Sequence, residues 1–383
     1  MHDTENGVPI DPKDLIELID AALAADYTRV RRMANGAARA LEKDGAVGAA
    51  TELRALIRKR GVPLRASGYM ESLPVDAKSR LPLVEEQPWP GNPLFLNEEA
   101  TRTFQDFLGD VENIDKLSSK GLASRLALML SGPPGTGKTL LAGHVAARLN
   151  RPFYVVRLDS VISSLLGDTA KNIRTVFDYV PSKNAVLFLD EMDAVAKLRD
   201  DRHELGELKR VVNTVIQGLD SLDEHAVVLA ATNHPQLLDS AIWRRFPYKI
   251  ELKIPETEVR VDLWRYFLFE DKDTEARAED LAVISDGLSG ADIETIALTA
   301  RRHALLDSRE LDLGTVALAI VNTRAGRSSM PQKEPLEPDQ KRQLAIALKD
   351  KGELTVTNIA RLLNVTRQSV YLYLKPEGDT SHG

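Results

Sequence analysis

The stretch Gly132-Pro133-Pro134-Gly135-Thr136-Gly137-Lys138-Thr139-Leu140 constrains this chain more than any other. It fits G-x-x-x-x-G-K-[ST] and lies between the apolar run Leu126–Leu130 and a helical pattern that begins at Leu140. Strand, glycine-rich turn and helix in that order make a phosphate cradle. Gly132, Gly135 and Gly137 let the backbone curl until successive amides face one point. The helix N-terminus adds partial positive charge at the same place. Lys138 is then expected to reach the β- and γ-phosphates of a nucleotide, and the Thr139 hydroxyl to coordinate Mg²⁺.

The surrounding pattern agrees. From about residue 94 to 255, amphipathic helices alternate with the runs Phe153–Val156, Val186–Leu189 and Val227–Ala231, all continuously apolar like Leu126–Leu130. Such runs belong to strands buried on both faces of a parallel sheet. The expected class is therefore α/β. A fifth run, Tyr248–Ile254, alternates and suits a sheet edge. Residues 256–325 read as all helix, a lid lobe beside the sheet.

The flanks differ. Residues 11–60 carry apolar stripes at helical spacing, including Leu15 with Ile19 and Val30 with Met33 and Ala37, and predict a small helical bundle for docking or dimerisation. Residues 61–93 hold six prolines, which forbid a long helix and predict a semi-flexible linker, with Trp89 as an anchor on a neighbouring surface. Residues 326–340 predict a second linker, and 341–375 a last compact segment.

Composition narrows the functional classes. With 383 residues, the chain has room for two or three domains. Its 50 Lys plus Arg against 57 Asp plus Glu argue against a surface coated for nucleic acid throughout. It has no cysteine, which excludes a disulfide framework, thiolate catalysis and thiolate-bound zinc. The acidic start MHDTENGVPIDPKD lacks the basic and apolar regions of a signal peptide, and no apolar run has the length of a membrane span. The expectation is a cytoplasmic protein that does not enter a membrane.

The run Val186–Leu189 ends in Asp190-Glu191. A buried strand ending in adjacent carboxylates marks its C-terminal edge as a site, because ligands gather there in open α/β sheets. Asp190 is expected to hold Mg²⁺ through water, and Glu191 to polarise the attacking water as general base.

Four ordered motifs now stand together: Ser131 to Thr139, Leu189-Asp-Glu-Met-Asp193, Ala230-Ala-Thr-Asn233 and Leu238-Asp-Ser-Ala-Ile-Trp-Arg-Arg-Phe246. Over residues 94–325 the chain resembles the AAA branch of the AAA+ ATPases, with a double-arginine form similar to the katanin, spastin and metalloprotease-linked relatives. The resemblance implies a P-loop NTPase sheet with a helical lid, ATP and Mg²⁺ as cofactors, and assembly into a homo-oligomeric ring, a hexamer. It also implies Asn233 as the sensor of the attacking water or γ-phosphate, and Arg244 and Arg245 as arginine fingers that reach the neighbouring subunit's nucleotide. Gly287 to Ile293 resembles the second sensor region, where Ala291 fits the branch. One departure stands out. Translocases of this kind grip polypeptide with an aromatic pore residue, whereas Ser163-Ser-Leu-Leu-Gly167 places Leu165 there, without a flat π-face. Asp200 to Glu204 would form the second pore loop.

At the end, Thr357 to Leu374 looks like a helix-turn-helix of the resolvase and transposase type. Asn364 stands where the turn needs positive φ, Thr366 is placed to cap the second helix, and Arg367, Gln368, Ser369 and Tyr371 fall on its early, base-reading turn. Residues 341–375 carry seven basic and two acidic residues in an otherwise acidic chain. Two outputs therefore follow from the sequence. One is ATP-driven remodelling or unfolding of a protein client or effector. The other is a DNA-associated ATPase switch or motor recruited through residues 341–375.

Overall fold

A computed structural model of the chain describes residues 82–158, 169–180, 183–194, 205–270, 275–323, 328–350 and 354–375, with scattered positions before residue 82. It divides into two compact units, Met1–Leu73 and Pro74 onwards. In the first, the described positions between residues 16 and 53 are almost all helical, and Ala38 and Ala50 are buried. The rest of the expected bundle at 11–60 lies outside the described residues, as do Ser163–Gly167 and Asp200–Glu204.

The second unit is built on one six-stranded sheet. In chain order its elements begin with β1 (Glu85–Gln87), α1 (Glu98–Glu112), α2 (Ile114–Ser118), β2 (Ala127–Ser131) and α3 (Lys138–Leu149). They continue with β3 (Phe153–Arg157), α4 (Thr169–Tyr179), β4 (Val186–Asp190), α5 (Leu205–Ser221) and β5 (Val227–Thr232). Then follow α6 (Ser240–Trp243), β6 (Tyr248–Glu251), α7 (Thr257–Phe269), α8 (Glu275–Ile284), α9 (Gly290–Leu306) and α10 (Leu313–Asn322). The last three are α11 (Pro338–Asp350), α12 (Val356–Leu363) and α13 (Arg367–Tyr373).

The strand order is β1-β3-β4-β5-β2-β6, and every pairing except β1 with β3 is parallel. Leu128, Leu130, Val155, Phe188, Leu229 and Ala231 fill a core with α1 and α3 on the same face. Burying such side chains contributes roughly 1.5–3 kcal/mol each. The sheet thus confirms the α/β class, and the alternating run does lie at an edge, as β6. In parallel strands all C-terminal ends point one way, so the turns after β2, β4 and β5 emerge side by side.

Residues 82–93, expected within the linker, are instead part of this unit. Glu85–Gln87 pair antiparallel with Phe153–Val155, Leu83 and Val84 are buried, and the Trp89 indole donates to the Arg151 carbonyl at 3.0 Å. Prolines at 82 and 88 are compatible with this because an edge strand leaves half its amides without ladder partners.

The expected second linker and separate tail are also corrected. Lid residues Trp264, Leu281, Ile296, Val316 and Ile320 share one continuous core with Leu336, Leu344, Leu348, Ile359, Leu363 and Val370. Leu336, only 5% exposed, pins the supposed linker to the lid. The Arg361 guanidinium pairs with the buried Asp280 carboxylate on α8 at 3.0 Å, and Asn358 hydrogen-bonds the same carboxylate. The three tail helices are too small to bury their apolar faces alone, so the lid completes their core.

Candidate nucleotide site

The turn after β2 takes the shape its glycines allow. Gly132, Gly135 and Gly137 have φ of 141°, 77° and 92°, a region that side chains rarely adopt. Space is also decisive: a Cβ on Gly132 would stand 2.0 Å from the Leu252 carbonyl oxygen. With Pro133, Pro134 and Thr136 between them, these residues wrap the N-terminus of α3. Thr136 steadies the turn by donating to the Pro133 carbonyl at 2.9 Å.

Lys138 opens α3 and is 9% exposed. Its ammonium donates to the carbonyls of Gly132 at 2.8 Å and Pro133 at 2.7 Å. Burial pulls its pKa below the usual lysine value, against the opposing charges of Asp190 and Asp193. Thr139 Oγ1 stands 3.5 Å from Asp190 Oδ2, so hydroxyl and carboxylate converge from two separate elements. Burial pushes the Asp190 carboxyl up, while the Glu191 amide, at 2.9 Å, and Lys138 act in the other direction. Glu191 adopts a left-handed φ of 55°, which breaks the strand and turns its side chain out at the sheet end. For a non-glycine residue that costs about 1–2 kcal/mol.

Asn233 follows β5. Its side-chain Oδ1 is buried and has no hydrogen-bond partner among the described residues. An orphaned acceptor at such a place is a costly feature that a polar ligand would relieve.

These groups line one cavity of about 450 Å³ between sheet and lid. Its lining includes Gly135 to Leu140, Asp190, Glu191 and Asn233. It also includes the apolar Leu94, Phe95 and Leu96 with Val259, Leu263 and Phe267 of α7, and the charged Lys253, Glu256 and Glu294. A cavity that offers both charged and apolar contacts suits a nucleotide, whose phosphates and base call for one each.

Residues 128–254 match the ATPase family associated with various cellular activities, AAA. The chain is 34% identical over 246 residues to the uncharacterized AAA family ATPase y4kL of Sinorhizobium fredii, covering 62% of this chain and 73% of that protein. The chain belongs to the AAA family of ATPases. It is also similar to a putative 26S proteasome regulatory subunit homolog of Methanothermobacter marburgensis, 37% identical over 186 residues. A third relative is a proteasome-activating nucleotidase of Methanococcus vannielii, 31% identical over 207 residues. The alignments cover 47% and 52% of this chain, and the chain spans only about half the length of these two proteins.

As a member of this family, the chain is an ATP-hydrolysing enzyme. The residues fit a bound nucleotide on the evidence of the glycine cradle and the orphaned Asn233 oxygen. The Thr139 hydroxyl and Asp190 carboxylate are oxygen donors of the kind that would suit a divalent ion. Among the described residues no helix is long and apolar enough to cross a membrane.

The two arginines do not join the cavity. Arg245 is held within the chain: its Nε and Nη2 donate to Asp220 at 3.2 and 2.9 Å, and Nη1 to the Ala241 carbonyl at 3.0 Å. Arg125 grips the same Asp220 at 3.0 Å. Arg244 is exposed and its side chain makes no hydrogen bond or ion pair among the described residues. Sequence reading missed the apolar part of the cavity lining, because Leu94–Leu96, Val259 and Leu263 resemble any core residues until the lid folds over the sheet. It also missed that the Ala291 amide donates to the Gly135 carbonyl at 3.1 Å, joining lid to cradle.

Proposed function

We propose that this ATPase is Mg²⁺-dependent, assembles into a homo-oligomeric ring, and couples hydrolysis to remodelling or unfolding of a protein client. The observation that carries this reading is the missing guanidinium. The cavity has its cradle, carboxylates and sensor, yet no arginine lines it among the described residues, while Arg244 stands exposed elsewhere. Charge on the transferred phosphoryl group needs a guanidinium or its equivalent, worth ~10³ to 10⁵ in rate. A second copy presenting Arg244 supplies it, and a ring closes that relation for every copy. The double-arginine form, similar to katanin and spastin, agrees, and the family resemblance gives six copies.

In this reading Lys138 and the loop amides bind the phosphates, and Thr139 and Asp190 hold Mg²⁺, which neutralises phosphate charge when bound. Glu191 takes the proton of the attacking water, and Asn233 orients that water. Arg244 completes the site from the neighbour, and Arg245, clamped by Asp220, braces the turn that presents it. The relatives named as proteasome-activating nucleotidase and proteasome regulatory subunit homolog favour a protein client. The setting is read as cytoplasmic.

Mixing Arg244→Ala chains with Glu191→Gln chains tests the shared site. Each alone is expected to be inactive, and the mixture to recover turnover at competent interfaces. An isolated monomer with full activity would end the ring reading.

A second output, binding of DNA through residues 341–375, is favoured by one observation. Helix α13 is capped by Thr366, follows Asn364 at φ 49°, and presents Arg367, Gln368 and Tyr371 outward. That arrangement supports a helix-turn-helix reading. Arg361, however, is spent on Asp280, which removes one of the basic residues available for phosphates. Salt-dependent retardation of duplex DNA by the full chain checks this output, and stimulation of the ATPase by unfolded protein checks the first.

A further inference from the structure

The turns that follow β4 and β5 are stitched together by a carboxylate that the mechanism above does not use. Asp193 is 3% exposed. Its Oδ1 accepts from the Thr232 hydroxyl at 3.2 Å and from the Asn233 backbone amide at 3.3 Å. The Thr232 oxygen in turn accepts from the His234 amide at 3.0 Å, and the Met192 amide donates to the Ala231 carbonyl at 2.9 Å. A buried carboxylate costs several kcal/mol unless hydrogen bonds satisfy it. Here two of its acceptor bonds fall on Thr232 and Asn233, the residues that set where the Asn233 side chain leaves the backbone.

We infer that Asp193 is a positioning residue for ATP hydrolysis, fixing Asn233 opposite Glu191 so that both side chains address one water. The geometry requires it to come from the β4 turn. Glu191 and Asp193 share that turn, so a bond from Asp193 to the start of the next turn locks the spacing between base and sensor. No contact from Asp193 to the nucleotide is invoked; it acts through Asn233. The inference rests on the reading of Glu191 and Asn233 given above.

The test uses full-length chain and four variants: Asp193→Ala, Asp193→Asn, Asn233→Ala and the double Asp193→Ala/Asn233→Ala. Loss of a positioning contact of this kind lowers kcat on the order of 10²-fold. Asp193→Ala should show that loss while KM and the affinity for a fluorescent ATP analogue move by less than ~3-fold, since Asp190, the stronger of the two carboxylate influences on Lys138, remains. Asp193→Asn keeps an acceptor oxygen and should recover most of the rate. The double variant should be no slower than Asn233→Ala, because both act on one element. The inference is overturned if Asp193→Ala loses nucleotide affinity with turnover, if asparagine fails to rescue, or if the two losses multiply. An Asn233→Ala chain at the parental rate would instead remove the underlying site reading. Should Asp193→Ala not fold, Thr232→Val strips one donor from the carboxylate and must lower kcat at unchanged KM; an unchanged kcat overturns the inference.

Discussion

The Ala291 amide, in the first turn of α9, donates to the carbonyl of Gly135 in the phosphate cradle at 3.1 Å. Lid and cradle therefore meet through backbone, with Ser289 and Asp292 closing a capping box at the same helix end. A Cβ on Gly135 would lie 2.6 Å from the Ser289 hydroxyl and 3.2 Å from the Ala291 methyl, at a φ that alanine adopts only at a cost of about 1–2 kcal/mol. Gly135→Ala should lower stability by that amount, measured by thermal unfolding beside titration with a fluorescent nucleotide.

Glu191 is set beyond the strand end by its left-handed backbone, while the glycine-rich turn proposed to bind phosphate is a separate element. Glu191→Gln should retain ATP binding and lose ~10² to 10⁴ in turnover, the usual range for a removed general base. Single-turnover hydrolysis beside equilibrium binding separates the two effects. Equal loss of both would place Glu191 in binding.

Arg244 and Arg245 should separate in their effects. Arg244→Ala is expected to abolish turnover with no change in melting temperature, since the side chain has no intramolecular partner among the described residues. Arg245→Ala breaks a three-membered network with Asp220 and Arg125, and should cost about 0.5–1 kcal/mol of stability, as such half-exposed networks do.

The same network has a pH signature. Hydrogen bonds from Arg245, then Arg125, hold the Asp220 carboxyl below the usual carboxylate range. A depressed folded pKa gives stability that is present above the unfolded value of about 3.9 and lost as pH falls through the folded value. The gap in melting temperature between the parent and Asp220→Asn should therefore be widest near neutrality and close below about pH 4. A gap that widened on acidification would contradict the pairing.

Asp280 and Arg361 join lid to tail. Burial raises the Asp280 carboxyl, and Arg361 opposes this. Arg361→Ala leaves that buried charge without its cation and should cost ~2–3 kcal/mol, somewhat under the value for a fully buried pair because Arg361 is a third exposed. The measurement is amide exchange in residues 354–375, where protection should fall before that of the sheet. Unchanged protection would mean that apolar packing alone docks the tail.

What was legible in the sequence followed from patterns that local physics fixes. The buried runs of β2 to β5 announce themselves because a strand covered on both faces has no polar position along its covered length. The cradle is legible because only glycine suits φ above 70° at Gly135 and Gly137. Strand β1 was not legible: Glu85-Glu86-Gln87 has three polar residues, and only its partner Phe153–Val155 makes it a strand. The tail read as a self-contained module because Ile359, Leu363 and Val370 pack in the right pattern, and nothing in that pattern shows whether the core ends there.

By itself, then, the sequence determined the phosphate cradle, the buried parallel strands and the carboxylate pair at Asp190 and Glu191. Each depends on backbone conformation or burial over a few neighbouring residues. Only the tertiary structure decided that the tail shares the lid's core, that Arg245 is clamped while Arg244 stands open, and that Asp193 binds the turn after β5. Those relations join residues 25 to 81 positions apart, and a one-dimensional pattern carries no distance between them.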